Sequence, residues 1–271
     1  MSAGADLARE LAFASELADL AASISLPMAT SELVHRTKAD RTPVTDVDIA
    51  VERAMRDAVE AAFPDDGFLG EEVGRTRRAA RTWVVDPIDG TQNLLDGLQL
   101  WTTLIALTID DAPVLGVVDV PALGERYVAG RGTGATLNGE PIHVSGDATL
   151  HEAFVLHSGV EEWLGDERWA GFSDVASTSR RTRGISDAWG HMLVARGSAD
   201  AMLEHDPCAP WDWAAASVIL AEAGGRLTTI GGGALYDGCD LLSSNGALHA
   251  ELVTMLANGH RESGSDRVAS R

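Results

Sequence analysis

The sequence predicts an α+β protein whose two halves share one body, and three observations carry that prediction. Residues 5–26 set Leu7, Leu11, Leu17, Leu20 and Ile24 at helical spacing, so an amphipathic helix opens the chain. Residues 101–145 are rich in β-branched side chains and punctuated by Gly, Pro and Asp, the texture of an antiparallel meander. After about residue 150, helical and extended patterns alternate. The expected division is therefore an N-terminal α+β half, residues 1–148, and a C-terminal α/β half, residues 149–258. The polar stretch 259–271 is expected to be a disordered tail.

Each element has its own signal. After the first helix the polar "TKADRTPVTD" leads into a second, with Val47, Val51, Met55, Ala58 and Ala62 on one face and Thr45 as N-cap. "GFLG" and "TWVVD" read as short strands, and the meander should turn near 110–113, 121–125 and 137–141. In the second half "SDAWGHMLVARG" reads as helix and "ADAMLE" as strand. "WDWAAASVILAEAGG" reads as a helix closed by Gly224 and Gly225, "GRLTTI" as a strand and residues 246–257 as a last helix.

Composition narrows the function. The chain has 271 residues, 45% of them hydrophobic, which is enough for a sizeable core. No apolar run suggests a bilayer span, and the basic start of a signal peptide is missing, so a cytoplasmic protein with no membrane partner is expected. Forty-one acidic residues against 21 basic ones give a formal charge of −20, which disfavours nucleic acid. An anionic small substrate would also be repelled unless cations reverse the local field. Cys208 and Cys239 have neither metal-ligand nor redox spacing and read as thiols, a single disulfide being the alternative. The histidines show no metal spacing. Trp163, Trp169, Trp189 and Trp211 read as core or dimer interface.

The chemistry lies in carboxylates. Glu71 and Glu72 in "GEE", and Asp86 in "VVDPIDGT", follow apolar strand-like runs, and strand ends are where open sheets gather chemistry. Asp86 and Asp89 flank a proline-stiffened turn and can converge, with the Ile88 carbonyl between them. Each acid also has a plain reading. "GEE" could be a solvated loop, and Asp89 a turn corner. Asp212 could serve its helix's first turn, and Asp48 could complete a capping box with Thr45. Converging carboxylates, however, repel unless they share protons or bind a hard cation. All-oxygen ligands without a His or Cys cluster select Mg²⁺, Mn²⁺ or Ca²⁺ over zinc. Such a site would also admit an anionic substrate and suits in-line hydrolysis of a phosphate ester.

"GEE", "DPIDGT" and "WD" followed by "AEAGG", with "TPVTDVD" upstream, resemble the inositol monophosphatase family of Mg²⁺-dependent phosphomonoesterases, over about residues 7–257. The resemblance implies an αβαβα layered sandwich of the inositol monophosphatase/fructose-1,6-bisphosphatase type and two or three Mg²⁺ ions, with Mn²⁺ as a substitute. It further implies a small phosphomonoester substrate and a homodimer. It carries Glu71, Asp86 and the Ile88 carbonyl to a first metal, and Asp86, Asp89 and Asp212 to a second. It makes Thr91 and Asp48 the pair that activates water, with Glu71 counted beside them as catalytic, and gives the phosphate to the amides of Gly90 and Thr91. Glu72 falls behind these. A non-catalytic phosphate-binding regulator is the contrasting reading, and the presence of every expected ligand favours the enzyme.

Within that family "TKADRTPVTDVD", "WTTLIAL", "VPALGERYVAGRGTGA" and "SDAWGHMLVARG" resemble the actinobacterial type of histidinol-phosphate phosphatase, which implies histidinol phosphate to histidinol, a step of histidine biosynthesis. Asp187 and Glu204 then fall where family members contact the leaving alcohol. Asp187 has a plain reading as a helix cap, and "EHDPCAPWD" runs one residue longer than the family pattern. Gln92-Asn93-Leu94 replaces Lys-Asn-Phe, and "SD" replaces "GD", so inositol 1-phosphate or a sugar, nucleoside or aminocyclitol phosphate stays open as the alternative.

Overall fold

The computed structural model describes residues 7–30, 33–38, 42–146, 149–185 and 187–258. Helices α1 (Ala8–Ala29) and α2 (Asp46–Ala62) are separated by a small hairpin, β1 (His35–Thr37) and β2 (Pro43–Thr45). Then come β3 (Gly67–Gly70), β4 (Gly74–Arg75), β5 (Arg81–Asp89) and the short helix α3 (Thr91–Leu95). The meander follows as β6 (Thr102–Ile109), β7 (Ala112–Val120), β8 (Glu125–Gly130), β9 (Gly134–Leu137) and β10 (Glu140–Ile142). After a 3₁₀ turn, Leu150–Glu152, the chain forms β11 (Phe154–His157), α4 (Val160–Trp163), α5 (Trp169–Thr178) and β12 (Arg181–Gly184). It ends with α6 (Asp187–Ala195), β13 (Ala201–Cys208), α7 (Pro210–Glu222), β14 (Arg226–Thr228), β15 (Cys239–Ser244) and α8 (His249–Asn258).

These elements stack in five layers. An eight-stranded sheet, order β10-β9-β8-β7-β6-β5-β3-β4, carries α1 and α2 on one face and α6 and α7 on the other. Its strands are antiparallel except at the β3–β5 pair. The far side of α6 and α7 meets a five-stranded sheet, order β12-β11-β13-β15-β14, whose outer face is covered by α5 and α8. This is the αβαβα sandwich.

Apolar pattern and layer agree. Val47, Val51, Met55 and Val59 of α2 are buried with Trp83, Val85, Ile105 and Leu107 of the first sheet. Ala214, Ala215 and Ala216 make α7 slim, and Gly116 of β7 lies so close beneath it that a β-carbon there would sit 2.3 Å from the Ala215 carbonyl oxygen. Small residues on both sides let the middle helix press onto the sheet.

The sequence reading needs additions. The meander also turns at residues 131–133, and β11, β12, β15 and α5 carried no assignment of their own. Helix α1 is long and apolar enough, by length and composition, to cross a membrane, which qualifies the expectation of no such segment. Here one face of it, Ala14, Leu17, Ala18 and Ala21, is buried against α2 and the first sheet. Cys208 and Cys239 are free and buried, although they face each other across β13 and β15. Trp163 is core, whereas Trp169 is among the exposed apolar side chains. The tail 259–271 lies outside the described residues.

Candidate active site

Strand β5 ends in the site. On a regular strand residues i and i+3 point to opposite faces, so Asp86 and Asp89 should diverge. They do not, because Asp86 pairs with Leu104 while Asp89 pairs with Thr102. Three steps on β5 against two on β6 make a bulge, which restores the phase and turns both carboxylates to the same side. The Ile88 amide donates to Asp86 Oδ1 (3.0 Å) and the Thr103 hydroxyl to the Pro87 carbonyl (2.9 Å), fixing the bulge around the proline. Asp89 Oδ2 accepts from Thr102 Oγ1 (2.8 Å) and from the Ala188 amide at the start of α6 (2.9 Å).

The third acid arrives from the middle layer. Asp212 stands in the first turn of α7 and accepts from the Ala209 amide at 2.6 Å. The plain helix-terminus reading therefore holds, and only one of the two oxygens is used for it. Asp86, Asp89 and Asp212 each bring a carboxylate oxygen into a group whose members lie within 4.8 Å of one another. Among the described residues none of the three pairs with Lys or Arg. Burial, then the neighbouring carboxylates, pushes Asp86 and Asp89 well above the usual carboxylate range, although the Ala188 amide opposes the rise at Asp89. Asp212 is pushed up to about 8 by burial, with Glu71 and Glu204 adding to it against the Ala209 amide. Three anions held this close without a cation are destabilised, and an all-oxygen donor set of this kind fits a hard divalent ion.

Glu71 is near enough for its charge to raise Asp86 and Asp212, but its carboxylate pairs with Lys38 at 2.6 Å. Lys38 also reaches Glu72 at 2.5 Å. Burial would lower the Lys38 ammonium, but the two glutamates outweigh it and hold it above its usual range. Burial pushes Glu72 up to about 7. The turn that presents this pair is anchored by buried Glu52, which accepts from the Glu72 (2.7 Å) and Val73 (2.8 Å) amides.

Asp48 uses both oxygens. Oδ2 accepts from the Thr45 amide (2.8 Å) and hydroxyl, closing the capping box of α2, and Oδ1 accepts from Thr91 Oγ1 (3.0 Å). The Thr91 hydroxyl also lies 2.9 Å from the Ile88 carbonyl. Gly90, at φ 79°, turns the chain from β5 into α3. A β-carbon there would sit 3.0 Å from Asp187 Oδ2 and 3.1 Å from the Leu100 carbonyl, so the position needs glycine twice over.

Asp187 opens α6 with a positive φ of 63°, and its Oδ2 accepts from Asn93 Nδ2 at 2.8 Å. Its charge is among those that raise Asp89. Glu204, buried in β13, is bonded to His191 and adds to the fields at Asp89 and Asp212. The long "EHDPCAPWD" segment is absorbed as a bulge, four steps on β13 from Glu204 to Cys208 against two on β15. Lys38, Glu52, Asn93, Thr102 and the Ala188 amide were not singled out in the sequence. Of these only Asn93, next to the motif, carried a local signal.

Fold and acid pool define the class, metal-dependent phosphoric monoester hydrolases. A family model described as "Inositol monophosphatase family" matches residues 6–263, and the chain belongs to that family. Relatives include a histidinol-phosphatase of Chlorobaculum parvum, 37% identical over 93% of this chain and 98% of its own length. Another, from Mycobacterium tuberculosis, is 42% identical over 82% of this chain and 88% of its own. Among solved structures, the Thermotoga maritima IMPase superposes with a TM-score of 0.85 at 30% identity, covering 94% of this chain and all (100%) of that one.

Proposed function

We propose that this phosphatase hydrolyses histidinol phosphate to histidinol, a step of histidine biosynthesis, with Mg²⁺ held by Glu71, Asp86, the Ile88 carbonyl, Asp89 and Asp212. The observation that carries the reading is the convergence of Asp86, Asp89 and Asp212 without a cationic partner among the described residues. When bound, the divalent ions supply positive charge that polarises the phosphoryl oxygens and offsets the charge developing in the transition state. Two or three ions would fit the oxygen set, and Mn²⁺ would substitute. Lys38 would leave Glu71 as they bind.

The chain's own groups do the rest. The Thr91 hydroxyl donates to Asp48 Oδ1, 3.0 Å away, and passes its proton to that oxygen as Oγ1 takes one from the attacking water. The amides of Gly90 and Thr91 hold the phosphate. Because α3 has five residues, these two donors matter more than any helix dipole. Asp187 and Glu204 face the leaving alcohol, and two carboxylates there favour one carrying an ammonium group. Residues 1–148 would then supply most of the metal site, and residues 149–258 Asp212 and the selecting acids. The relatives named histidinol-phosphatase support this substrate. A cytoplasmic homodimer is the setting we propose.

Phosphate release across a panel of phosphomonoesters tests the reading. Histidinol phosphate should give the highest kcat/KM, and Asp187→Ala should cost it roughly 1.5–3 kcal/mol while costing inositol 1-phosphate much less. Equal losses would reduce Asp187 to a helix-terminal residue. A wild type indifferent to histidinol phosphate would move the assignment to a sugar or cyclitol phosphate.

A further inference from the structure

Among the fully buried polar side chains that the mechanism above does not use is His191. His191 lies in α6, one turn beyond Asp187, where the helix packs on β13 and β15. Its Nε2 is 2.8 Å from Glu204 Oε2, and its Nδ1 is 2.8 Å from Ser243 Oγ. Glu204 belongs to β13 and Ser243 to β15, and both are buried. A carboxylate only accepts, so Nε2 carries a proton and donates it to Glu204. Nδ1 pairs with the Ser243 hydroxyl, and the two bonds together fix the ring plane. A glutamate has three rotatable bonds, and one oxygen tied to a rigid buried ring removes most of that freedom before any ligand arrives. The bond occupies Oε2 and leaves Oε1 for a ligand.

Residues 187 and 191 are four apart and share a face of α6. The same helix therefore sets Asp187 against Asn93 and Gly90 and, through His191, holds Glu204, and both carboxylates are near enough to raise Asp89. We propose that His191, backed by Ser243, is a positioning residue that orients the Glu204 carboxylate, so that Asp187 and Glu204 form an acidic clamp for a cationic leaving alcohol. The substrate class in this inference rests on the function proposed above, whereas the His191–Glu204 coupling does not.

A double-mutant cycle reads the coupling directly. Wild type, His191→Phe, Glu204→Gln and the double variant are compared by steady-state kinetics on histidinol phosphate, with thermal unfolding recorded for each. His191→Phe should raise KM about tenfold with a smaller fall in kcat, and in the Glu204→Gln background its effect on KM should shrink below about twofold. His191→Gln, which keeps a donor, should recover most of the affinity. Equal effects in both backgrounds would overturn the proposal and leave His191 a packing residue. So would a His191→Gln variant no better than His191→Phe. If His191→Phe does not fold, Ser243→Ala serves instead, with roughly a threefold rise in KM that vanishes in the Glu204→Gln background. The two readings fail differently. A wrong substrate class shows as a wild type that prefers inositol 1-phosphate, and the cycle is then run on that ester. A wrong role for His191 shows as additivity on whichever ester the wild type prefers.

Discussion

Asp48 shows how one side chain serves fold and chemistry together. One oxygen caps α2 through Thr45 and the other accepts from Thr91, so neither the plain nor the catalytic reading excludes the other. Asp48→Asn should separate them. The amide oxygen still accepts at the cap, so stability should fall by no more than about 1 kcal/mol. The group that takes the proton is lost, however, and kcat should fall roughly 10²–10³-fold with little change in KM. Kinetics and melting of the same preparation check this, and a raised KM at normal turnover would reverse the role assignment. A second residue contributes to the loss of stability in acid. His249 bonds to Ser244 Oγ (2.8 Å) and Thr228 Oγ1 (2.9 Å), and burial, with Arg226 nearby, pushes its imidazole from 6.5 down to about 4. As pH falls, the unfolded chain takes this proton near 6.5 and the folded chain only near 4. Between those values the unfolded state holds more protons, so stability is lost on acidification, in total roughly 3 kcal/mol from this group. Urea midpoints measured from pH 7 to pH 4 should therefore fall less steeply in His249→Gln than in wild type. Parallel slopes would mean that the folded imidazole titrates normally.

Elements decide whether those residues meet. Asp86 and Asp89 were legible as a converging pair because a proline-stiffened turn closes an apolar run, but the bulge that makes them converge was not. It lies opposite Thr102 and Leu104, and pairing register is a property of two strands. The capped helix α2 and the meander were legible because period and punctuation agree there. β12, "RTRG", was not, since an exposed charged edge strand has no apolar face to announce it. β11 and β15 are short runs of four and six residues, too brief for periodicity to separate strand from helix. Lys38 and Thr102 act at the site only through contacts made by folding, so nothing local marked them. The most consequential element contact is that of α7 on β7. Gly116→Ala would drive a methyl against the Ala215 backbone, and the helix that must yield carries Asp212. Overpacking of this kind should cost about 1–3 kcal/mol. It should also raise the Mg²⁺ concentration needed for half-maximal activity, because one metal ligand moves with the helix. Urea unfolding beside a Mg²⁺ titration checks both effects. Lost stability with an unchanged Mg²⁺ requirement would show that the sheet, and not the helix, gives way.

At the scale of the whole molecule the site is a junction between layers. Asp86 and Asp89 come from the first sheet, Asp187 and Asp212 from the middle helices and Glu204 from the second sheet. A chain with a formal charge of −20 thus concentrates carboxylates where its layers meet, at a cost in self-repulsion that a divalent ion bound to the native state would offset. Because the oxygens converge only in the folded state, a divalent ion binds the native chain far better than the unfolded one. Mass action then stabilises the fold by about 2.7 kcal/mol when the free ion is at 100 times its dissociation constant. Chelation should accordingly abolish phosphatase activity and lower the melting temperature in the same titration. Added Mg²⁺ should restore both with one midpoint, and NaCl at equal ionic strength should restore neither. The matched control matters, since a chain this acidic gains some stability from any salt through screening. If NaCl reproduced the whole thermal shift, Mg²⁺ would be acting as a general counterion, and Asp86, Asp89 and Asp212 would have to share protons instead of a metal.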